Sequence, residues 1–273
     1  MNSEILSLGI VSDEISNDFA EAIHHASSWG ISLMEIRVLK SGRVPNVTTE
    51  DIEEVQQYIR KDKVRITALS PGIFKHQLSK TSQLQTELNF TLPRTIKLAK
   101  TLGASLIIIF GFQREQGEPE SNFRIATNFL RRAAMVAERN GIKLAIENEP
   151  GFWCDTGANT RKIIDDVASP ALGANWDLAN AYGTAEVPYP EGYEAIREKI
   201  FNVHAKDTRQ GALVQCVPIG DGVLDWKGQL CALVRDKIAS HITIETHCLP
   251  LIENSRRNVD TLRRMLGEIS AGS

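Results

Sequence analysis

The sequence predicts a single-domain eight-stranded α/β barrel, the (β/α)8 fold, over residues 1–273. Eight short apolar runs typical of buried parallel strands recur along the chain, and the segments between them are long enough for helices. A length of 273 residues suits one such barrel, and no linker rich in Gly, Ser or Pro divides the chain. The predicted strands, in order, are residues 5–11, 32–37, 64–69, 105–110, 143–147, 172–177, 200–205 and 241–245.

The segments between these strands carry helical signals. Apolar residues recur at helical spacing in two of them, at Phe129, Ala133, Val136 and Ala137, and again at Val259, Leu262, Leu266 and Ile269. Gly30, Gly103 and Gly141 each fall between a predicted helix and the next strand. We therefore expect these three glycines to end helices in the left-handed conformation.

Four of the predicted strands end in side chains that bind metals. LAIE ends at Glu147, LGANWD at Asp177, FNVH at His204 and ITIE at Glu245. Because the carboxyl ends of parallel barrel strands meet on one rim, the four side chains are expected to converge on one divalent-metal site. The alternative is that each is a structural polar residue that caps a strand end or pairs with a lysine.

Composition excludes several classes of partner. The formal net charge is −3, and basic residues cluster only in pairs, so no surface for nucleic acid is predicted. The amino terminus has no basic segment followed by a long apolar one, and no run approaches a membrane span. We therefore expect an unexported, cytoplasmic protein with no membrane partner. The four cysteines are far apart in the sequence, which argues against a disulfide framework or a thiolate zinc site.

Several motifs resemble one known family. The chain is similar to the xylose isomerase-like TIM barrel superfamily of sugar isomerases, epimerases and apurinic endonucleases. The similarity lies in VHAKD at 203–207, IGDGVLDW at 219–226, GIVSDEIS at 9–16, and the order Glu, Asp, His, Glu on the last four strand ends. It extends over nearly the whole chain, and the ordered quartet is its most specific part.

The resemblance implies a ligand set and a reaction. In the ketose 3-epimerase branch these four positions bind one divalent metal, which here gives Glu147, Asp177, His204 and Glu245 as ligands. Three carboxylates and one imidazole suit Mn, Mg or Co, and Zn also accepts them. The resemblance further implies that Glu147 and Glu245 form the acid/base pair, which would transfer a proton through a metal-stabilised enediolate.

Polar residues near the same strand ends are candidates for substrate binding. They are Lys206, Arg209, Asn180, His247 and Arg37. Cationic side chains could hold a hydroxyl, carboxylate or phosphate group through charge-assisted hydrogen bonds. A salt bridge within the protein is the alternative for each of them.

The expected function is a metal-dependent isomerase or epimerase of a small sugar or hydroxy-carbonyl compound. Asn180 and Lys227 stand where the apurinic endonucleases carry zinc-binding histidines, so that activity is not expected. Two alternatives stay open: a lyase that dehydrates a keto-inositol or dehydroshikimate-like substrate, and a non-catalytic sugar-binding protein. The expected partner is a small polyhydroxylated substrate, and the sequence leaves open whether the chain forms a homo-oligomer.

Overall fold

Eight parallel strands form a closed barrel in the computed structural model, which describes residues 6–61, 63–184, 186–211 and 213–272. Each strand pairs with its neighbours in the sequence, and the eighth strand closes the barrel against the first. The strands are Ser7–Val11, Leu33–Ile36, Arg65–Leu69, Leu106–Phe110, Lys143–Glu147, Leu172–Asp177, Ile200–Ala205 and His241–Ile244. The prediction of a (β/α)8 barrel is confirmed.

Helices follow the strands and cover the outside of the barrel. The α-helices are Phe19–Ser28, Thr49–Arg60, Thr81–Thr86, Leu92–Leu102, Phe123–Arg139, Gly157–Val167, Leu178–Tyr182, Tyr193–Ile196, Trp226–Asp236 and Leu251–Gly272. Both helices predicted from apolar spacing are present. Gly30, Gly103 and Gly141 have φ of 69°, 73° and 67°, so all three adopt the left-handed conformation expected after a helix.

Five of the eight strands differ from the predicted ones by one or two residues, at one or both ends. The predicted start of the first strand, Ile5, lies outside the described residues. The last strand ends at Ile244, although the Glu245 amide still donates to the carbonyl of Ala205 at 3.0 Å. Two short hairpins at the strand ends were not predicted: Val38–Leu39 with Gly42–Arg43, and Asp207–Thr208 with Cys216–Val217.

The inside of the barrel changes from apolar to polar along its axis. Ala68, Leu106, Ile108 and Ala145 form a small apolar cluster separate from the main core. Asn175, Asn202 and Thr243 lie in a chain of buried hydrogen bonds on the last three strands. Side chains alternate along each strand, so two residues beyond these three stand Asp177, His204 and Glu245. The alternation therefore places the metal-binding side chains at the carboxyl end of the barrel.

None of the helices in the described part of the chain is both long enough and apolar enough to cross a membrane.

Candidate metal centre

The four side chains at the ends of the last four strands meet inside the barrel opening. Glu147, Asp177, His204 and Glu245 each offer one ligand atom, and these atoms lie within 4.8 Å of one another. All four side chains are buried. The structure therefore brings together the complete set of ligands that the resemblance implied.

His204 is held by a residue that the sequence analysis did not place at the metal centre. Its Nε2 lies 3.0 Å from Oε2 of Glu35, and Glu35 in turn accepts a hydrogen bond from the Ser70 hydroxyl. This leaves Nδ1 of His204 facing the ligand set, 3.4 Å from Glu245 Oε2 and 3.7 Å from Glu147 Oε2. A carboxylate that fixes the far nitrogen of a metal-binding histidine is a common arrangement.

Two buried atoms of the quartet have no hydrogen-bond partner among the described residues: His204 Nδ1 and Asp177 Oδ2. Buried polar atoms nearly always have hydrogen-bond partners, so two such atoms in one cluster need an explanation, although the Lys206 ammonium lies 2.8 Å from Asp177 Oδ2. An oxygen and an imidazole nitrogen are both good ligands for a divalent cation. The donor set therefore fits a metal ion.

Asp177 is fixed from two directions. Its Oδ1 accepts a hydrogen bond from the Asn180 amide at 2.9 Å, at the start of the helix Leu178–Tyr182. Its backbone N–H and carbonyl bond the side-chain amide of Asn148, both at 2.8 Å. Only Oδ2 is left for an ion, and the Lys206 ammonium lies 2.8 Å from it without hydrogen-bond geometry.

Glu147 is oriented by two amides. Asn180 Nδ2 donates to its Oε1 and Asn175 Nδ2 donates to its Oε2, each at 3.3 Å. Asn180 also donates to the Asn148 carbonyl at 2.8 Å. Asn180, predicted to bind substrate, thus lies directly against Glu147, a predicted metal ligand.

Arg37 is fully engaged by acidic partners. Its Nε lies 2.8 Å from Asp13 Oδ2, its Nη2 lies 2.7 Å from Glu14 Oε1, and its Nη1 lies 2.8 Å from Glu245 Oε1. Nη1 also lies 3.0 Å from His247 Nε2. The guanidinium therefore positions Glu245. Of the two roles expected for Arg37, substrate binding or a salt bridge within the protein, the structure has the salt bridge. Glu14, Glu245 and His247 form a second group that could hold a metal, but Arg37 contacts all three.

Electrostatics keep most of the site charged. Burial and the charge of Glu245 act to raise the pKa of Glu147, but His204 and Lys206 outweigh them and lower it. Burial also opposes ionisation of Glu245, yet Lys206 and His204 hold its pKa well below the usual value. For Asp177 burial prevails over Lys206 and raises the pKa. Burial opposes the charged form of His204, but the charges of Glu35, Glu245 and Glu147 raise its pKa well above the usual value.

The centre opens into a cavity of about 870 Å³. Three of the predicted substrate-binding residues, Lys206, Asn180 and His247, line this cavity together with Arg37. Arg209 does not: it is exposed, and its N–H donates to the Gln215 carbonyl in the hairpin that leaves the barrel. Residues that sequence reasoning did not place in the site include Arg43, Ser70 and Asp13, of which only Asp13 stands in a quoted motif, SDEIS.

A family model described as xylose isomerase-like TIM barrel matches residues 23–266. No curated protein matches the sequence. Among solved structures the chain is similar to a D-tagatose 3-epimerase-like protein, with a TM-score of 0.80 and 17% identity, covering 98% of this chain and 99% of that one.

Two further structures are similar at the same level. The probable 3-DHS dehydratase AsbF of Bacillus anthracis, involved in petrobactin synthesis, gives a TM-score of 0.78 and 14% identity over 94% of this chain and 99% of its own. The IOLI protein, solved with a bound zinc atom, gives a TM-score of 0.78 and 17% identity, covering 97% of this chain and 98% of its own. At such identities the likeness establishes the fold alone.

Proposed function

Since this chain belongs to the xylose isomerase-like TIM barrel family, we propose that it is a divalent-metal-dependent isomerase or epimerase of a small sugar or hydroxy-carbonyl compound. One observation carries the proposal: four buried side chains that could hold a metal, two of which have an atom without a hydrogen-bond partner, meet at a cavity at the carboxyl end of the barrel strands. The family supports a sugar-modifying enzyme, and the neighbours include a 3-epimerase-like protein and a probable dehydratase.

Glu147 and Glu245 are the proposed acid/base pair. Both lie beside His204, with Oε2 atoms 3.7 and 3.4 Å from its Nδ1. Both carboxyl groups have a lowered pKa, so each begins as a base able to accept a proton. One would take the proton from the carbon next to the carbonyl. In an isomerisation the same carboxyl group would return that proton to the neighbouring carbon, whereas in an epimerisation the other carboxyl group, after taking up a proton from water, would give it to the opposite face.

The proposed metal ligands are Glu147, Asp177, His204 and Glu245, which suit Mn, Mg or Co, with Zn as a further candidate. A bound divalent cation would act there as a Lewis acid that stabilises the negative charge on substrate oxygens after the proton leaves. Glu35 keeps His204 in the tautomer that turns Nδ1 toward the ligand set.

Lys206, Asn180 and His247 are the proposed substrate contacts, because all three line the cavity beside the ligands. Arg37 is proposed instead to hold Glu245 in place, and Arg209 is left out of the set because it is exposed outside the cavity lining. A lyase is the second candidate, since elimination begins with the same proton abstraction and a probable dehydratase has a similar fold.

The test is a panel of ketoses, keto acids and inositol derivatives incubated with metal-loaded protein in deuterated water. Deuterium at the carbon next to the carbonyl, lost when the metal is chelated, is the expected result for an isomerase or epimerase. Loss of water from the substrate would identify the lyase instead. If compounds that bind tightly exchange no deuterium and lose no water, the chain is a binding protein and the proposal is wrong.

A further inference from the structure

We infer that Arg43 forms an anion-binding subsite of the metal-centre cavity, so that the substrate is a hydroxy-carbonyl compound carrying a carboxylate or phosphate group. The inference rests on the proposed function and names the class of substrate that the site would take.

Arg43 is connected through Ser70 to Glu35, the residue that bonds His204. It belongs to the hairpin that follows the second barrel strand, and it lines the cavity together with Glu147, His204 and Glu245. Its Nη1 donates to the Ser70 carbonyl at 3.1 Å. Ser70 is the residue whose hydroxyl binds Glu35, so one residue links Arg43 to the partner of His204.

The wall beneath the guanidinium is made by a glycine. Gly72 also lines the cavity, and a Cβ atom at this position would lie 3.5 Å from Arg43 Nη1. Gly72 has φ of 78°, a conformation that L side chains rarely adopt. The backbone therefore favours a residue without a side chain where the guanidinium packs. No side chain at position 72 then separates the other N–H groups of Arg43 from the cavity.

Every carboxylate that lines this cavity already has a basic partner. The pairs are Asp13 with Arg37 at 2.8 Å, Glu35 with His204 at 3.0 Å, Glu87 with His76 at 3.5 Å, Glu147 with His204 at 3.7 Å, Glu149 with Lys75 at 3.4 Å, and Glu245 with Arg37 at 2.8 Å. The lining lysines are paired as well, Lys75 with Glu149 and Lys206 with both Asp177 and Glu245.

Unlike these lysines, Arg43 has no acidic partner among the described residues. Within the described ranges no carboxylate lies at ion-pairing distance from it, and its Nε and Nη2 have no acceptor there. Arg43 is exposed at the cavity, and partial desolvation together with the charge of Arg37 lowers its pKa. A guanidinium presents parallel N–H donors that match the two oxygens of a carboxylate or phosphate. The free donors of Arg43 therefore suit an anionic group on the same molecule that reaches the metal.

The test compares three ligands that share one skeleton: D-fructose, D-fructuronate and D-fructose 6-phosphate. Their dissociation constants are measured by calorimetry with metal-loaded wild-type protein, with Arg43→Gln and with Lys40→Gln. Lys40 is the matched control, since it is an exposed cation of the same hairpin region, pairs with Asp18 at 2.9 Å and does not line the cavity. The anion that binds more tightly shows whether the subsite takes a carboxylate or a phosphate group.

Wild-type protein should bind one anionic ligand at least about tenfold more tightly than fructose. Arg43→Gln should remove that preference and leave fructose affinity unchanged, while Lys40→Gln should keep it. The inference is overturned if neither anion gains over fructose, or if Arg43→Gln keeps the preference. Selective anion binding without deuterium exchange in any substrate would sink the proposed function alone, whereas exchange in a neutral ketose with no preference for anions would sink the subsite alone.

Discussion

His204 Nε2 lies 3.0 Å from Glu35 Oε2, and this contact fixes which nitrogen of the ring faces the other metal-binding side chains. With Nε2–H donated to Glu35, Nδ1 is the nitrogen that would bind a divalent metal after losing its proton. The two residues lie on the second and seventh barrel strands, so the contact crosses the barrel interior.

Replacing Glu35 with Gln should weaken metal binding, because the amide cannot hold the imidazole N–H as a carboxylate does. The expected loss of affinity is about 10- to 100-fold. It can be measured by competition with a chromophoric chelator. Glu138→Gln is the matched control, since Glu138 also accepts a hydrogen bond from a serine hydroxyl, that of Ser169 at 3.2 Å, but lies exposed on the outer helices. Equal affinity in Glu35→Gln and wild type would show that Glu35 does not support the ligand.

Glu147→Gln and Glu245→Gln should lower turnover much more than substrate binding. Each variant keeps an oxygen for the metal but loses the group that accepts a proton, and a positioned acid or base contributes about 10²- to 10⁴-fold. The measurement is kcat and KM on the substrate found by the exchange panel, with metal content determined on the same samples. Variants that keep full metal and ordinary kcat would remove the two-carboxylate mechanism.

The barrel and the meeting of Glu147, Asp177, His204 and Glu245 could be predicted because both follow local patterns. Lys143–Glu147 and Leu172–Asp177 were predicted to the residue, since apolar runs mark buried strands and a polar residue ends each run. Parallel strands then bring residues distant in sequence to one rim. Nothing beyond strand order is needed to place those ends together.

The supports of the site could not be predicted, because they depend on contacts across the barrel. Glu35 meets His204 over a separation of 169 residues, and no local pattern encodes that pairing. Arg37 carries the charge expected of a substrate-binding residue, but Asp13 and Glu14 lie near enough in space to engage it. Arg209 follows the right strand, yet it is exposed in a hairpin whose other strand, at Cys216, lines the cavity instead.

Asp236 gives a prediction of pH dependence outside the site. Arg235 and Tyr193 bond its carboxylate and lower its pKa to about 2. A lowered pKa stabilises the folded state above the ordinary value of about 3.9, and this contribution is lost as the pH falls toward 2. The gap in urea midpoint between wild type and Asp236→Asn should therefore shrink between pH 6 and pH 3. A gap that stays constant, as expected for a loss of packing alone, would contradict the assignment, and Asp260→Asn at an exposed pair serves as control.

Lys206 should stabilise the metal-free protein more than the loaded one. Its buried ammonium is 2.8 Å from Asp177 Oδ2 and 3.0 Å from Glu245 Oε2. Lys206→Met therefore removes the cation beside Asp177 and one of the cations around Glu245, which keeps Arg37 at 2.8 Å. Loss of one partner from a buried ion pair costs about 3–5 kcal/mol.

The free energy of unfolding in urea, measured for Lys206→Met with a chelator and with saturating metal, checks this expectation. The deficit should be large with chelator and smaller with metal, because a divalent cation supplies positive charge to the same carboxylates. Lys227→Met, which removes an exposed lysine 3.1 Å from Glu268, should change stability by less than about 1 kcal/mol in either condition. A Lys206→Met protein as stable as wild type with chelator present would contradict this expectation. It would mean that the two carboxylates do not depend on the charge of Lys206 and are neutralised by proton uptake instead.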